Sequence, residues 1–184
     1  MGAILTQTTQ AKNSHNIIIR TATVKDAKAI LGFNEEVLAE APYLLTTREE
    51  FTLTLKEEEK FLSDMYDHKN KLAIVAELDG KVVGFLDFHG GGRRRNQHDG
   101  TLGMSVREHW RNQALVDLLL RALFDWVERH ETVEKVSLEV FSQNIGAIHL
   151  YIKQGFVQEG RKVHAIKLDD GQYMDLIIMG RILK

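Results

Sequence analysis

The sequence of 184 residues contains no cysteine. This absence excludes disulfide bonds, thiolate nucleophiles and cysteine-based zinc sites. The eight histidines are scattered along the chain and never form an HExxH pattern. The sequence therefore predicts neither a structural nor a catalytic metal.

Long apolar runs and a strong net charge are also missing. No apolar run approaches the roughly 20 residues that a membrane span needs, and the segment MGAILTQTTQ at the start does not resemble a secretion signal. A formal net charge of −2 gives no overall basic field for nucleic acid or an anionic membrane. We therefore expect a cytoplasmic protein without a nucleic-acid or membrane partner.

The composition is that of one globular domain. Hydrophobic residues make up 43% of the chain and charged residues 27%, which allows a sizeable core in a chain of this length. No internal repeat and no long linker divides the sequence. We expect a flexible leader over residues 1–15 and a single domain over residues 16–184.

Local patterns predict seven strands and four main helices, with a short additional helix after Thr47. Helix starts are indicated where Thr23, Thr47 and Thr54 each precede an acidic residue by three positions. The apolar face of the first helix is predicted to contain Ala27, Ile30, Leu31, Asn34 and Leu38. The chain's only proline, Pro42, should end that helix. The predicted strands are 16–20, 72–78, 81–89, 101–106, 135–141, 156–168 and 172–183, and the last two helices are 112–129 and 144–153.

The resulting order is β-α-α-β-β-β-α-β-α-β-β, which is typical of an α+β domain around a mixed sheet. Its clearest local signal is the dipeptide Asp79-Gly80 between two apolar runs. This dipeptide favours a type I′ turn and therefore predicts a β-hairpin.

The segment SVREHWRNQALVDLLL carries a strand directly into a helix. The first amides of a helix have no acceptor within the helix, and the helix dipole adds partial positive charge there. Arg107 and Arg111 add full charges close by. The junction could therefore bind phosphate, although most junctions of this kind bind nothing.

A second segment, FSQNIGAIHLYIKQGF, places Asn144 at a helix start and Tyr151 seven residues later, near the same face. A capped helix with a core tyrosine and a glycine after its end explains this pattern as well.

In the preceding strand, Glu139 points to the opposite sheet face from Leu138 and Val140. A solvent-facing glutamate would do the same.

Taken together, these segments resemble the GNAT acetyltransferases, from Ile17 to the C-terminus. LEVFSQNIGAIHLYIKQGF, followed by EGR, is similar to the family's last conserved block, LxVxxxNxxAixLYxkxGFxxxG. SVREHWRNQALVDLLL resembles the acyl-CoA-binding block, with Val106 at the strand end and Arg111 as the leading basic residue. The resemblance implies a mixed, mostly antiparallel central sheet of about seven strands flanked by helices.

The resemblance also implies an activity, namely transfer of an acetyl group from acetyl-CoA to a primary amine. The acceptor would be a small molecule, an amino acid or a peptide N-terminus, attacking directly in a ternary complex without a metal. By the same resemblance, a homodimer could form through the C-terminal strands.

The family pattern assigns roles to particular residues. Tyr151 matches the general acid, and Glu139 matches the base of the ribosomal-protein alanine N-acetyltransferase branch. Glu40 and Tyr43 fall in the region that covers the acceptor. The implied acetyl-CoA site comprises Met104, Val106 and Asn144 for the pantetheine arm, and the segment Arg111, Asn112, Gln113, Ala114, Leu115 and Val116 for the pyrophosphate.

The sequence departs from the family where glycines usually follow the leading arginine. Asn112, Ala114 and Val116 stand at those positions. A Cβ atom would crowd the phosphates, and it costs about 1 kcal/mol at any position with positive φ. An alternative hypothesis is therefore a catalytically weak GNAT-fold module that binds acyl-CoA or has a regulatory role.

Overall fold

The computed structural model describes residues 2–10, 16–111 and 115–184. These residues form eight β-strands and four α-helices. The strands are β1 (Gln7–Gln10), β2 (Asn16–Thr21), β3 (Lys71–Leu78), β4 (Lys81–Gly90), β5 (Asp99–Val106), β6 (Lys135–Phe141), β7 (Val157–Lys167) and β8 (Tyr173–Ile182). The helices are α1 (Ala27–Glu40), α2 (Leu55–Asp67), α3 (Leu115–Arg129) and α4 (Ile145–Lys153), with short 3₁₀ turns at Val24–Asp26 and Glu108–Trp110.

All eight described strands form one sheet in the order β1-β2-β3-β4-β5-β6-β8-β7. Only the β5–β6 pair is parallel, and the other neighbouring strands are antiparallel. Helix α3 packs on one face of the sheet, while α1 and α2 pack on the other. The predicted α+β fold with a mixed, mostly antiparallel sheet is confirmed.

None of the helices in the described residues has the length and apolar character needed to span a membrane.

Strong local signals agree with the structure. Asp79 and Gly80 have φ values of 47° and 78°, as a type I′ turn requires. The predicted strand 135–141 is β6 residue for residue. Helix α1 ends one residue before Ala41, so Pro42 follows its C-cap as expected.

The N-terminal segment differs from the predicted flexible leader. Gln7–Gln10 pairs with Asn16–Ile19 and adds an eighth strand at the sheet edge. The Gly2 amide donates to the Tyr66 carbonyl at 3.0 Å, and a Cβ atom on this glycine would lie 1.7 Å from the carbonyl oxygen of Lys71. The sequence gives no strand signal here because QTTQ is polar throughout, without the apolar alternation of a half-buried strand.

Two helix predictions were wrong in detail. The buried face of α1 consists of Ala27, Ile30, Phe33 and Val37, whereas Leu31, Asn34 and Leu38 are only partly buried. Both sets have helical spacing, so the spacing alone could not distinguish them.

The residues after Thr47 form a turn instead of a helix, although the Thr47 amide donates to Glu50 at 3.0 Å. Residues 48–50 are exposed, so no apolar face stabilises a helix there.

A partly buried ion-pair network connects β2, β3 and the start of α1. The guanidinium of Arg20 donates to both carboxylate oxygens of Asp26, at 2.7 and 2.8 Å, and to Glu77 at 2.8 Å. Burial alone would raise the pKa of Asp26, but hydrogen bonds from Arg20 and Thr23 lower it. The network therefore joins the helix start to the sheet through charged groups that compensate one another.

Glu58 of α2 is a buried acid of a different kind. Its side chain is 3% exposed, and its Oε1 atom has no hydrogen-bond partner among the described residues. Burial, together with the negative charge of Asp87, raises the pKa of Glu58 to about 7. The folded protein therefore holds a proton here over a pH range in which the unfolded chain releases it.

We predict that Glu58→Gln changes the pH dependence of stability. The folded pKa lies above the ordinary value of 4.5, so the stabilisation by the protonated acid is complete below pH 4.5 and is lost as pH rises through about 7. The free energy of unfolding of wild type should fall by about 3 kcal/mol over this interval relative to the glutamine variant. Urea unfolding at pH 5 and about pH 8 measures this difference.

Glu49→Gln is the matched control, because Glu49 is exposed and its replacement should leave the pH dependence as it is in wild type. If the curves of wild type and Glu58→Gln ran parallel, the raised pKa of Glu58 would be contradicted.

Candidate active site

The parallel ladder between β5 and β6 ends early. It contains the pairs Asp99–Lys135, Gly100–Val136 and Thr101–Ser137. Beyond them, β5 pairs with β4 as far as Val106, and β6 pairs with β8 as far as Phe141. The two strands therefore diverge, and the middle of the sheet opens into a cleft.

The backbone of β5 lines this opening. The Arg107 amide donates to β4 at Val83, and the Asp99 carbonyl accepts from Gly91 after β4. Because successive residues of a strand direct their backbone groups to alternate sides, the odd-numbered residues face β4. Met104 and Val106 accordingly direct their backbone N–H and C=O groups towards the opening.

The cleft has a volume of about 530 Å³. Its walls are the end of α1 with the following loop, the end of β5, the start of α3 and one face of α4. Sequence-predicted site residues that line it together are Glu40, Tyr43, Met104, Val106, Arg111, Val116, Asn144 and Tyr151.

Helix α4 presents two of these side chains on one face. Asn144 is the N-cap, and its Oδ1 accepts from the Ala147 amide at 3.2 Å. Tyr151 lies two turns further on, and both residues line the cleft. Burial raises the pKa of Tyr151 to about 12. Its hydroxyl therefore keeps its proton at neutral pH and can donate it to a leaving group.

Hydrogen bonds and a ring contact hold the C-terminal end of α4 against α3, β8 and Phe156. Gly155 adopts φ +84°, a left-handed conformation that favours glycine. The side-chain Nε2 of Gln154 donates to Asp117 of α3 at 2.7 Å, and Arg181 of β8 donates to the backbone carbonyl of Gln154 at 2.6 Å. The Tyr151 ring contacts Phe156, with ring centroids 5.5 Å apart. These contacts fix where the tyrosine stands in the cleft.

The end of α1 forms the wall of the cleft opposite α4. Contacts join it to the segment after β5. A Glu40 carboxylate oxygen accepts from the Glu108 amide at 3.1 Å, and Arg107 forms an ion pair with Glu36. Ser105 and Glu108 also line the cleft, although the sequence analysis assigned neither of them a role. Nothing in the local sequence distinguishes Glu108 from other exposed acids, so only the folded position of α1 could have identified it.

Several predicted site residues lie elsewhere. Glu139 is exposed on the sheet face opposite Leu138 and Val140 and forms an ion pair with Lys162; it is not among the residues that line the cleft. Leu115 is fully buried in the core beneath the sheet. Asn112, Gln113 and Ala114 lie outside the described residues.

Val116 does not have the positive φ at which a Cβ atom would be costly. Among the described residues, the non-glycine positions with positive φ are Asp79 and His164, whereas Val116 lies in the first turn of α3. The amides of this turn have no acceptor within the helix and carry partial positive charge. Arg111 lies close to them in the same cleft and donates to the Val106 carbonyl at 3.0 Å.

The chemistry available here differs along the cleft. The edge of β5 can hydrogen-bond an extended chain, the start of α3 with Arg111 can hold an anion, and Tyr151 can supply a proton. Within residues 2–10, 16–111 and 115–184, no group of three or more His, Asp or Glu side chains is placed to hold a metal ion.

Comparison with known proteins gives a consistent result. Residues 39–156 match the model of the Acetyltransferase (GNAT) family. The L-amino acid N-acetyltransferase AaaT of Escherichia coli strain K12 is 34% identical over 110 residues, which cover 59% of this chain and 67% of that protein.

Solved structures share the fold. A GNAT-family acetyltransferase from Streptococcus pneumoniae superposes with a TM-score of 0.87 and 30% identity, over 90% of this chain and 99% of the other. YncA from Salmonella typhimurium, solved with its cofactor acetyl-CoA, superposes with a TM-score of 0.79 and 19% identity, over 91% of this chain and 94% of the other.

We predict that Asn144→Ala destabilises the protein by about 1 kcal/mol, because α4 loses its N-cap acceptor. Asn144→Asp keeps a side-chain oxygen in place and should retain most of the wild-type stability. Urea unfolding of the three proteins measures the difference. Equal stability of wild type and the alanine variant would show that the bond to the Ala147 amide contributes nothing.

Proposed function

The chain belongs to the Acetyltransferase (GNAT) family and is an acyltransferase enzyme, and we propose that it transfers the acetyl group of acetyl-CoA to the primary amine of a small molecule. An amino acid is the favoured acceptor, because the relative AaaT is an L-amino acid N-acetyltransferase. A peptide N-terminus presents the same nucleophile. The observation that carries the proposal is that Tyr151 lines the same cleft as the open edge of β5, where burial raises the pKa of its hydroxyl to about 12.

The residues of the cleft fit acetyl-CoA. Met104 and Val106 offer backbone groups to the amides of a pantetheine arm lying beside β5, and Asn144 adds a side-chain amide. Arg111 and the first amides of α3, including those of Leu115 and Val116, suit the pyrophosphate. Asn112, Gln113 and Ala114 belong to the same proposed loop. When bound, acetyl-CoA supplies a thioester that an amine can attack.

Tyr151 acts as the general acid in this proposal. Its hydroxyl holds a proton at neutral pH and donates it to the sulfur as the carbon–sulfur bond breaks. Such a group typically contributes 10²- to 10⁴-fold to a rate.

Glu139 is the proposed acceptor of the proton that the amine loses. It lies on the same sheet face as Phe141, roughly 7 Å along the strand. The ring of Phe141 contacts Tyr43, with centroids 6.0 Å apart, and Tyr43 lines the cleft. This chain of contacts supports a role for Glu139 on the acceptor side, where Glu40 and Tyr43 would contact the acceptor.

A second candidate function is a weakly catalytic module that binds acyl-CoA. The observation that favours it is Asn112, Ala114 and Val116 in place of the family glycines. Such a module would not depend on the Tyr151 hydroxyl, so replacing this hydroxyl separates the two functions.

We also propose that residues 16–184 form one cytoplasmic domain that dimerises through its C-terminal strands. Strand β7 supports the last point, because it is the outermost strand of the sheet on that side and most of its residues are exposed.

Tyr151→Phe should lower kcat by roughly 100-fold or more, because the leaving sulfur loses its proton donor. KM for acetyl-CoA should change little. Because the pKa of Tyr151 is about 12, the wild-type rate should show no loss from tyrosine ionisation at any pH well below that value. Release of free coenzyme A with a panel of amino acids measures both effects.

Tyr66→Phe is the matched control, since Tyr66 is exposed on α2, and it should retain the wild-type rate. If Tyr151→Phe also retained that rate, the general-acid role would be wrong and the binding-module function would be favoured.

Val116→Arg should abolish acetyl-CoA binding, because the new side chain would fill the anion end of the cleft. Calorimetric titration should give micromolar binding for wild type and none for the variant. Val24→Arg, at an exposed position before α1, should bind as wild type does. Absence of binding by wild type at millimolar acetyl-CoA would overturn the proposed function.

A further inference from the structure

Two acidic residues line the cleft on the wall that the end of α1 forms with the segment after β5. Glu40 and Glu108 are both exposed to the cavity. One carboxylate oxygen of Glu40 accepts from the Glu108 amide at 3.1 Å, which leaves its other oxygen outside that bond. Within the residues that the structure describes, no hydrogen bond or ion pair engages the Glu108 carboxylate. Both residues can therefore present a carboxylate oxygen to a ligand in the cleft.

The cavity around these two acids is the place of reaction on independent grounds. It contains the open edge of β5 and the Tyr151 side chain, which the proposed function uses to hold the thioester and to protonate the sulfur. Tyr43 belongs to the same wall as Glu40 and Glu108. The charges of this wall therefore act on the acceptor as it approaches the acetyl group.

The basic side chains of this region do not neutralise the wall. Arg107 and Lys162 are each paired with another glutamate, and neither is among the residues that line the cleft. Arg111 does line it, but it forms no ion pair with Glu108 in the described part of the chain, and the proposed function assigns it to the pyrophosphate. Among the described residues, the acceptor wall has two negative charges and no positive charge of its own.

This charge distribution distinguishes between classes of amine. A free amino acid carries a carboxylate on the same carbon as its reacting nitrogen, and a third negative charge in this part of the cleft is repelled by the other two. An amide carbonyl at the same position has no charge. A peptide N-terminus presents such a carbonyl beside its amine, and its protonated form is attracted to the wall before it loses the proton and attacks.

We propose that Glu40 and Glu108 select against a free carboxylate beside the reacting nitrogen, so that the acceptor is an amine without one, such as a peptide N-terminus. Such selection by repulsion is a common source of specificity. The inference rests on the proposed function for the transfer itself. It departs from the preference drawn from AaaT, because an L-amino acid carries the carboxylate that this wall opposes.

The test compares L-leucinamide with L-leucine, which have the same side chain and differ in the charge beside the amine. The side chain suits the apolar residues of the cleft, which include Val37, Leu44 and Leu150. Wild type should show a kcat/KM at least about tenfold higher for leucinamide, because like charges in a confined site repel each other. Part of this ratio reflects the lower basicity of the leucinamide amine, so the change of the ratio in variants decides.

Glu40→Gln and Glu108→Gln each remove one negative charge and keep the shape of the side chain. The glutamine at position 40 also keeps an oxygen that can accept from the Glu108 amide. Each variant should lower the ratio by about threefold, chiefly by raising kcat/KM for leucine, since a single exposed charge contributes about that much. The double variant should lower the ratio by about tenfold.

Glu35→Gln is the matched control, because Glu35 is an exposed acid on the same helix as Glu40 and is not among the residues that line the cleft. It should keep the wild-type ratio. Raising the salt concentration should lower the ratio in wild type but not in the double variant, because salt screens exposed charges. If both amines are acetylated and no variant changes the ratio, the selection is wrong while the proposed function stands.

Calorimetric titration of leucinamide and leucine into wild type and the double variant tests the selection without turnover. Wild type should bind leucinamide more tightly than leucine, and the double variant should lose this difference. That result would support the selection even if neither compound were acetylated, in which case the failure would belong to the proposed function. Equal affinity of wild type for the two compounds, or no binding of leucinamide, would overturn the selection.

Discussion

The early end of the parallel ladder between β5 and β6 is the constraint on which the active site depends. After three residue pairs, each strand keeps only its antiparallel partner on the outer side. The backbone of Met104 and Val106 is thereby directed into an opening inside the sheet. Both diverging strands are followed by helices, α3 and α4, so the starts of two helices border the same opening. One interruption of the sheet thus supplies a hydrogen-bonding edge and a region of positive potential.

The width of the opening is set by contacts between the elements that border it. Gln154 of the α4 end donates to Asp117 of α3, and this bond connects the helices that follow the two strands. On the other wall, Glu40 accepts from the Glu108 amide, which fixes the end of α1 over the segment after β5. These bonds position Tyr151, and the wall that contains Glu40 and Glu108, relative to the same stretch of β5.

Sequence predicts the features whose cause is local. The Asp79-Gly80 turn requires only two residues with positive φ, and Asn144 with Tyr151 requires only helical spacing, so each could be identified from a few neighbouring positions. Strand β1 lacks such a signal because its pairing with β2 determines it, and the buried face of α1 depends on where α2 and the sheet lie. Glu108 was missed for the same reason. Glu108 reaches the wall of the cleft because its amide donates to Glu40 of α1, a contact that no local pattern encodes.

The distribution of charge explains how one cleft could orient two different ligands. Arg111 and the start of α3 favour anions at one end, as the phosphates of a nucleotide cofactor would require. Glu40 and Glu108 line the wall formed by the end of α1 and the segment after β5, and their carboxylates favour a cationic or amine ligand. Because each ligand would be repelled from the end that suits the other, the field opposes binding in the reversed orientation. Tyr151 lies in the cleft beside β5 and stays neutral at physiological pH, so the group that donates the proton does not disturb this separation.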